Sequence, residues 1–445
     1  MNRTIGASTM GILKTGAAVA LTLALAGCSG LLEQTAPSRV LADNLTTPAN
    51  AKLLVDGARA TFGCAFQAYV MAGGLMTDEM EDRQLAASAW DYDRRTNAPA
   101  LNSAGYGEAG CDISQNFGIY RPIQTARYQA DYALEALKGW TDDQVSGRGE
   151  LIATAALYSG YSHLVLGEGF CTTAISSPTE ALNASGGAEL QPEDVFALAE
   201  AKFSEAIAAA AGNTTLLNAA RVGRARARLD LAKLPGKPVN GTKLAEAGAD
   251  AAAVTDAEFS YSLPYTITNG FSENLVGRRT WDYLLFGIAP TYHNVTWNGK
   301  PDPRVAVTNT GLKGSDKGII WAADKYRSGS SVIPLAHWSE AQLIAAEAAG
   351  GATAVSIMNN LHTLAGLDPT GVNPSDAAAV QNQIILERSR EMFIEGQHFY
   401  DVKRFNLPYN PPVGTAFSKG GTYGDQRCFP LPDVERLNNP KLRNP

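Results

Sequence analysis

The sequence predicts a mainly α-helical protein whose helices pair as antiparallel hairpins and are interrupted by two loop-rich insertions. Three observations support this class: apolar residues recur at spacings of three and four over several long segments, Ala is abundant, and two stretches lack any such period. Of the 445 residues, 45% are hydrophobic and 18% are charged, so the chain has enough apolar surface to build a sizeable core. Disorder is therefore excluded as the main state.

The N-terminus has the features of an export signal. Lys14 precedes an apolar stretch from Ala17 to Ala26 that is too short to span a bilayer. The stretch ends in Leu25-Ala26-Gly27-Cys28, which resembles the lipobox of bacterial lipoproteins. We therefore predict a signal peptide over residues 1–27 and a lipidated tether over residues 28–48, with acylation such as palmitate on Cys28. The alternative is an ordinary signal peptide with a chance cysteine.

The remaining cysteines are even in number, as expected in an oxidising compartment. They are Cys64, Cys111, Cys171 and Cys428, and three pairings are possible. The pairing of Cys64 with Cys111 and of Cys171 with Cys428 is favoured, because the first two flank one loop-rich stretch. Free buried thiols are the alternative.

Helical periodicity defines the predicted elements in order. It covers residues 48–67, 119–137, 149–166, 196–211, 216–234, 244–254, 338–349, 352–365 and 375–405. Ala199 and Phe203 alternate small and large side chains, as in nesting tetratricopeptide helices, although a strict 34-residue period is absent. Ser375 or Asp376 is a plausible cap for the last helix, and Pro408 lies beyond its end.

Two stretches have no sustained helical period and are rich in Gly and aromatic residues. They span about residues 71–117, beginning near Gly73-Gly74, and about residues 255–335. Long irregular stretches within a compact domain are usually functional or disordered, and their aromatic content argues against disorder. We expect a single domain over residues 49–445 with these two insertions.

Several motifs in the second half are similar to those of one protein family. Glu387 to Phe405 reads ERSREMFIEGQHFYDVKRF, Ala346 to Ala348 reads AEA, and the chain closes on Phe429-Pro-Leu-Pro and Asn444-Pro445. These segments resemble the SusD/RagB family, surface nutrient-binding lipoproteins that pair with a TonB-dependent outer-membrane channel. His362 departs from the family pattern, in which Arg is common at that position.

The resemblance carries expectations about fold, partners and location. It implies four tetratricopeptide-like helical hairpins with insertions that carry the ligand face, and it implies neither catalysis nor a cofactor. The expected partners are a TonB-dependent SusC-like transporter, a glycan or oligosaccharide ligand, and the outer membrane through a lipid anchor, with the body exposed at the cell surface. A formal charge of −7 and the lack of basic tracts argue against nucleic acid.

The same resemblance suggests where the ligand binds. Flat aromatic rings stack on the apolar face of a sugar, while amides, guanidinium groups and carboxylates bind its hydroxyls. By likeness to the family we expect ligand-binding residues in both insertions: Glu79, Arg83, Trp90 and Asn97 in the first, and Tyr292 and Trp297 in the second. The alternative for each aromatic residue is that it packs its loop onto the helical body.

Other interpretations of the charged residues remain open. The acidic residues from Asp78 to Asp93 could serve a glycosidase through Glu79 and Asp82, or form part of a calcium site, but they match no specific loop signature. The charged residues of 387–404 are interpreted as ion pairs along and between helices, of little energy where exposed. The five histidines are interpreted as structural, with no metal site.

Function also has alternatives at this stage. The chain could be a helical-repeat scaffold for envelope proteins, or a member of the same family that binds peptides rather than glycans. The substrate cannot be read from the sequence.

Overall fold

The fold is described from a computed structural model that covers residues 45–85, 89–100, 111, 118–210, 212–268 and 273–443. The body described below belongs to the unit Pro48–Pro445. The predicted signal peptide, the predicted acylation site Cys28, most of the predicted tether and the closing Asn444-Pro445 lie outside the described residues. Within those residues, no helix is both long and apolar enough to cross a membrane.

Helices dominate the described body, and the fold class predicted from the sequence is confirmed. The helices are α1 (Ala51–Met76), α2 (Trp90–Asp93), α3 (Tyr120–Lys138), α4 (Arg148–Gly169), α5 (Pro178–Leu182), α6 (Pro192–Ala209), α7 (Thr214–Ala232), α8 (Gly241–Ala252), α9 (Leu275–Gly277), α10 (Trp338–Ala349), α11 (Gly351–Leu364), α12 (Ala377–Glu391), α13 (His398–Arg404) and α14 (Asp433–Asn438).

The long helices pack against one another in chain order, as expected for helical hairpins. Helix α1 packs on α3, α3 on α4, α4 on α6, α6 on α7, α7 on α8 and α8 on α10. Side chains cap several of these helices. Asn213 accepts from the amide of Leu216 at 3.0 Å, and Asp376 accepts from the amide of Ala379 at 2.9 Å. These caps satisfy amides that have no partner within the helix.

Most predicted helices are shifted by a few residues at their ends, and two differ more. Helix α1 continues to Met76, past Gly73-Gly74, because residues 62–76 are all buried, and their packing outweighs a glycine cost of about 1 kcal/mol each. The single helix predicted over residues 375–405 is two helices, α12 and α13. A turn at residues 392–397 separates them, with φ of 53° at Ile394 and 86° at Gly396.

Strands among the described residues form two-stranded antiparallel pairs. The pairs are β1 (Met80–Asp82) with β5 (Phe286–Ile288), β2 (Thr173–Ile175) with β3 (Ala188–Leu190), β4 (Ser260–Leu263) with β10 (Ile333–His337), β6 (Thr296–Trp297) with β7 (Lys300–Pro301), and β8 (Val307–Lys313) with β9 (Ile319–Ala323). The pairing of Met80 with Ile288 joins the two insertions directly.

Two disulfides connect distant parts of the body. Cys64 is bonded to Cys111, with Cα atoms 5.6 Å apart. Cys171 is bonded to Cys428, with Cα atoms 5.1 Å apart. This is the pairing favoured from the sequence. The second bond lies beside a backbone contact in which the amide of Cys171 donates to the carbonyl of Phe429 at 2.9 Å, so the C-terminal segment is fixed to the end of α4.

The charged residues of 387–404 form ion pairs along and between helices, as predicted, but these pairs are buried and not exposed. Arg404 is paired with Glu347 of α10 at 2.7 Å and with Asp401 at 2.8 Å. Arg388 is paired with Asp401 at 2.8 Å. These side chains are almost inaccessible to solvent, so removal of one partner would leave a buried charge without compensation. The network joins α10, α12 and α13 and is structural.

Candidate functional site

The two insertions meet along a short ladder. Strand β1 follows α1, and strand β5 belongs to the second insertion; their register pairs Glu81 with Gly287 and Asp82 with Phe286. The amide of Arg83 then donates to the carbonyl of Leu285 at 2.9 Å. Residues from sequence regions about 200 positions apart are thereby held side by side.

Arg83 lies between two carboxylates on this ladder. Its guanidinium contacts Glu81 and lies 3.4 Å from Asp316 of the β8–β9 turn. About a fifth of the Arg83 and Glu81 side chains is exposed. A Cβ atom at Gly314 would lie 2.6 Å from Cβ and 2.8 Å from the carbonyl oxygen of Arg83, so this turn requires glycine where it covers the arginine. The glycine-rich segment 311–318 is thus a support for Arg83.

Beside Arg83, His293 and Trp321 form a stacked pair. Their ring centroids are 4.0 Å apart and their planes differ by 17°. Nε2 of His293 lies 2.8 Å from the carbonyl oxygen of Ile288 in β5, which fixes the imidazole against the ladder. Burial lowers the pKa of His293, and the nearby charge of Arg83 lowers it further, so the imidazole is neutral at pH 7. The pair therefore presents a flat, uncharged ring surface.

A second aromatic group borders the same ladder. Trp90 meets Phe417 edge to face, with centroids 6.5 Å apart, and Phe417 meets Tyr423 in the same way at 5.3 Å. Lys419 is paired with Asp82 at 3.2 Å, which ties the C-terminal segment to β1. We call Glu81, Arg83, His293, Asp316 and Trp321, with the bordering Trp90 and Tyr423, the insertion face.

Two of the ligand residues predicted from the sequence are buried. Glu79 is 0% exposed, and its Oε1 accepts from the amide of Ile394 at 2.9 Å. Asn97 is 2% exposed, and its amide group contacts Gln426. Both hold the first insertion against the C-terminal part of the chain. In this conformation neither side chain reaches a ligand on the surface.

The two predicted residues of the second insertion pack against the C-terminal part of the chain. Tyr292 is buried, stacks on Phe393 at 4.6 Å and lines a cavity of about 340 Å³. Trp297 is on the β6–β7 hairpin, where its ring meets His362 edge to face at 4.8 Å. Of the six predicted residues, the structure brings Arg83 and Trp90 to the insertion face.

The acidic residues of the first insertion are engaged in internal contacts. Asp78 lies 2.9 Å from Nε2 of His398, Asp93 accepts from the amide of Asp82 at 2.8 Å, and Asp82 is paired with Lys419. None of these pairs leaves two free carboxylates facing a common cleft, as glycoside hydrolysis requires. In the described part of the chain, no group of three or more His, Cys, Asp or Glu side chains is arranged to hold a metal ion.

The sequence analysis did not assign His293, Trp321 or Tyr423 to the site. Their aromatic character was visible, but nothing local in the sequence indicates that a histidine in one loop stacks on a tryptophan in the next hairpin. The useful signal would have been the strand pairing that brings Ile288, beside His293, next to Met80.

Comparison with known proteins finds similarity to the SusD family, both in sequence and in fold. A family model of the SusD family matches residues 298–442. No curated protein matches the sequence. The fold is similar to that of a SusD superfamily protein from Bacteroides vulgatus, with a TM-score of 0.67 and 14% identity over 88% of this chain and 97% of that one.

Two further solved structures are similar over the same share of the chain. One is a laminarin-binding SusD-like protein, with a TM-score of 0.59 and 14% identity over 88% of this chain and 97% of that one. The other is surface glycan-binding protein A from Bacteroides fluxus, with a TM-score of 0.64 and 14% identity over 88% of this chain and 96% of that one.

The matched family segment contains the buried network of α12 and α13 as well as the C-terminal segment that borders the insertion face. The similarity to solved structures covers 88% of this chain, so it also includes the helical hairpins that precede this segment. The C-terminal third of the chain therefore matches the SusD family model, and the body as a whole has the fold of solved SusD-like proteins.

Proposed function

We propose that this protein captures glycans at the insertion face. The observation that carries the proposal is the stacked His293–Trp321 pair beside Arg83, on the surface where the two insertions meet. A flat ring surface next to a set of hydrogen-bonding groups is the arrangement that suits a sugar ring. Solved relatives described as laminarin-binding and surface glycan-binding proteins support the same class of ligand.

The charges on the insertion face favour a neutral glycan. The two carboxylates beside Arg83 offset its positive charge, so an anionic ligand would gain little there. Guanidinium has five N–H donors, and the carboxylates retain acceptor positions. Hydroxyl groups both donate and accept hydrogen bonds, so a polyhydroxylated ligand can use both kinds of group.

A glycan and peptide array with the full chain in detergent tests this proposal. The array includes laminarin, starch, xylan, mannan and pectin. We expect wild-type protein to bind at least one glycan, and Trp321→Ala to lose at least about tenfold in affinity because the ring surface is removed. Trp297→Ala, on the separate β6–β7 hairpin, is the matched control and should bind as the wild type does.

Two other outcomes would contradict the proposal. Binding of peptides alone would indicate a peptide-binding member of the family. Equal losses in Trp321→Ala and Trp297→Ala would place the site elsewhere. Arg83→Lys provides a further comparison, because it keeps the positive charge but removes the planar guanidinium group. A reduced affinity in this variant would indicate directional hydrogen bonds between Arg83 and the ligand.

We further propose that the protein is a lipoprotein of the outer membrane that passes its ligand to a TonB-dependent SusC-like transporter. The support is the signal segment that ends just before Cys28, together with the match of residues 298–442 to the SusD family model. Radiolabelled palmitate should be incorporated into the wild-type chain and not into Cys28→Ser. Protease added to intact cells should degrade the protein; a chain that is protected would favour the periplasmic scaffold instead.

A further inference from the structure

A second groove lies between the outer surface of α3 and the C-terminal helix α14. Its volume is about 710 Å³, within the range of about 300–1,000 Å³ that is usual for ligand sites. The lining residues used below come from both walls: Tyr120, Arg121, Thr125 and Tyr128 from α3, and Glu435 and Asn438 from α14. The insertion face contains none of these residues.

The groove is held in shape by contacts among its own walls. Gln124 donates to Oγ1 of Thr173 at 2.8 Å and to the carbonyl of Ala174 at 2.9 Å, which fixes the floor to α3. Arg127 donates to the carbonyl of Ser176 at 2.8 Å. On the other wall, Arg436 is paired with Glu189 of β3 at 2.9 Å, so α14 is fixed to the β2–β3 pair. A ligand therefore meets a preformed site, and little free energy is lost in ordering it.

Tyr128 on the α3 wall is part of an aromatic surface that extends beyond the groove to Tyr132. Tyr128 and Tyr132 are one turn apart, with ring centroids at 6.0 Å and planes that differ by 20°. Both rings are partly exposed, and Arg121 and Thr125 are exposed on the same side of the helix. Residues spaced by three and four share one face of a helix, so the rings and the polar groups form one continuous stripe.

The chemistry of the two walls selects the class of ligand. Arg121 supplies donors, Glu435 supplies acceptors, and Asn438 and Thr125 supply both. Arg127 also lines the groove, but its charge is offset by Asp131 at 3.0 Å. The Glu435 carboxylate balances the charge of Arg121, so an anion gains little there. This mixture of polar groups disfavours a purely apolar ligand. We propose that this groove is a second glycan-binding site, an inference that rests on the proposed function of the insertion face.

A chain of aromatic contacts relates the groove to the first site. Tyr120 meets Phe170 at 5.2 Å, Phe170 meets Phe429 at 5.6 Å, and Phe429 meets Tyr92 at 5.9 Å. Tyr92 is on α2 together with Trp90. One aromatic cluster thus borders both sites, and a polysaccharide that engaged both at once would bind with avidity.

Affinity electrophoresis of the full chain in detergent tests the second site, with laminarin, starch, xylan, mannan and pectin as probes and their disaccharides for comparison. The variants are Tyr128→Ala, Tyr132→Ala and the double variant. We expect the double variant to lose about tenfold or more in affinity for a polysaccharide that the wild type binds, because one of two linked contacts is removed. Binding of the disaccharide at the insertion face should remain.

Two controls separate loss of binding from loss of fold. Tyr128→Phe keeps the ring and should retain most of the affinity. Leu437→Ala removes an exposed side chain of α14 that does not line the groove and should bind as the wild type does. Thermal unfolding of each variant shows whether the fold is kept.

The possible results distinguish this inference from the proposed function. Polysaccharide affinity that is unchanged in the double variant would overturn the second site while the insertion face stands. Loss in the double variant with no loss in Trp321→Ala would support the groove and reject the insertion face. A wild-type chain that binds no glycan at all would overturn both.

Discussion

At the scale of single residues, Glu79 is a buried carboxyl group with a strongly raised pKa beside the ladder that joins the insertions. Burial raises its pKa from 4.5 to about 7, and the positive charge of His398 and the amide of Ile394 only partly oppose that rise. For His398, burial lowers the pKa, but the hydrogen bond and charge of Asp78 and the charge of Glu79 outweigh this effect and raise it to about 9. The ionisation state of the buried Glu79 carboxyl therefore depends on pH near neutrality.

Substitution of Glu79 by Gln should change the pH dependence of stability. Because the pKa of this carboxyl group is raised in the folded state, folding is favoured when the group is protonated. This contribution to stability is fully present below pH 4.5 and is lost as the pH rises through about 7. Between pH 5 and pH 8, wild-type stability should fall relative to Glu79→Gln by about 2 kcal/mol. Urea unfolding at both pH values measures the difference.

The side-chain amide introduced by Glu79→Gln keeps an oxygen that can accept from the amide of Ile394, so this variant should fold. Asp425→Asn, at an exposed position of the C-terminal segment, is the matched control for the exchange of a carboxylate for an amide. Equal stability differences at pH 5 and pH 8 for Glu79→Gln would show that the carboxyl ionises normally in the folded protein.

Residue-scale patterns in the sequence revealed only part of the candidate site. The aromatic and charged character of both insertions pointed to ligand contacts, and Arg83 and Trp90 do lie at the insertion face. Glu79 and Asn97 were indistinguishable from them in sequence, because a loop pattern does not report which side chains turn inward. His293 and Trp321 stack only because β1 pairs with β5, a contact between distant segments.

At the scale of elements, one phenylalanine determines how closely three helices approach. Phe203 of α6 lies against glycines of both neighbouring helices: a Cβ atom would lie 2.7 Å from the ring at Gly160 of α4 and 2.4 Å at Gly223 of α7. The alternation of Ala199 and Phe203 predicted this nesting. The helical period also predicted the long helices, but it missed the turn after Glu391, where the backbone is set by contacts of Ile394 with Glu79.

Gly223→Ala should destabilise the packing of α6 against α7. The added methyl group overlaps the Phe203 ring, and overpacking of this kind costs about 1–3 kcal/mol. Gly57→Ala in α1 is the control, since nothing lies within 4 Å of the added Cβ. That change should stabilise the protein by about 0.5–1 kcal/mol, because alanine is the better helix former. Denaturant unfolding compares the two; a stabilising Gly223→Ala would mean that Phe203 can move aside.

At the scale of the whole molecule, the C-terminal segment packs against the end of α4 and against the first insertion. The amide of Phe429 donates to the carbonyl of Gly169 at 2.8 Å, and Lys419 reaches Asp82 of the first insertion. Neither the helical period nor local turn signals indicated this return path. The even number of cysteines pointed to it, because a bond from Cys171 to Cys428 requires the end of the chain to lie beside α4.

The two disulfides should differ in what they contribute to stability. The Cys171–Cys428 bond closes a span of 257 residues, whereas the Cys64–Cys111 bond closes one of 47. If a crosslink acts mainly by restricting the unfolded chain, the longer span stabilises more, by about 1.5 kcal/mol. The double variant Cys171→Ala/Cys428→Ala should therefore melt at a lower temperature than Cys64→Ala/Cys111→Ala in scanning calorimetry without reductant. The reverse order would mean that local packing around Cys64, and not the length of the closed span, governs the contribution of these bonds.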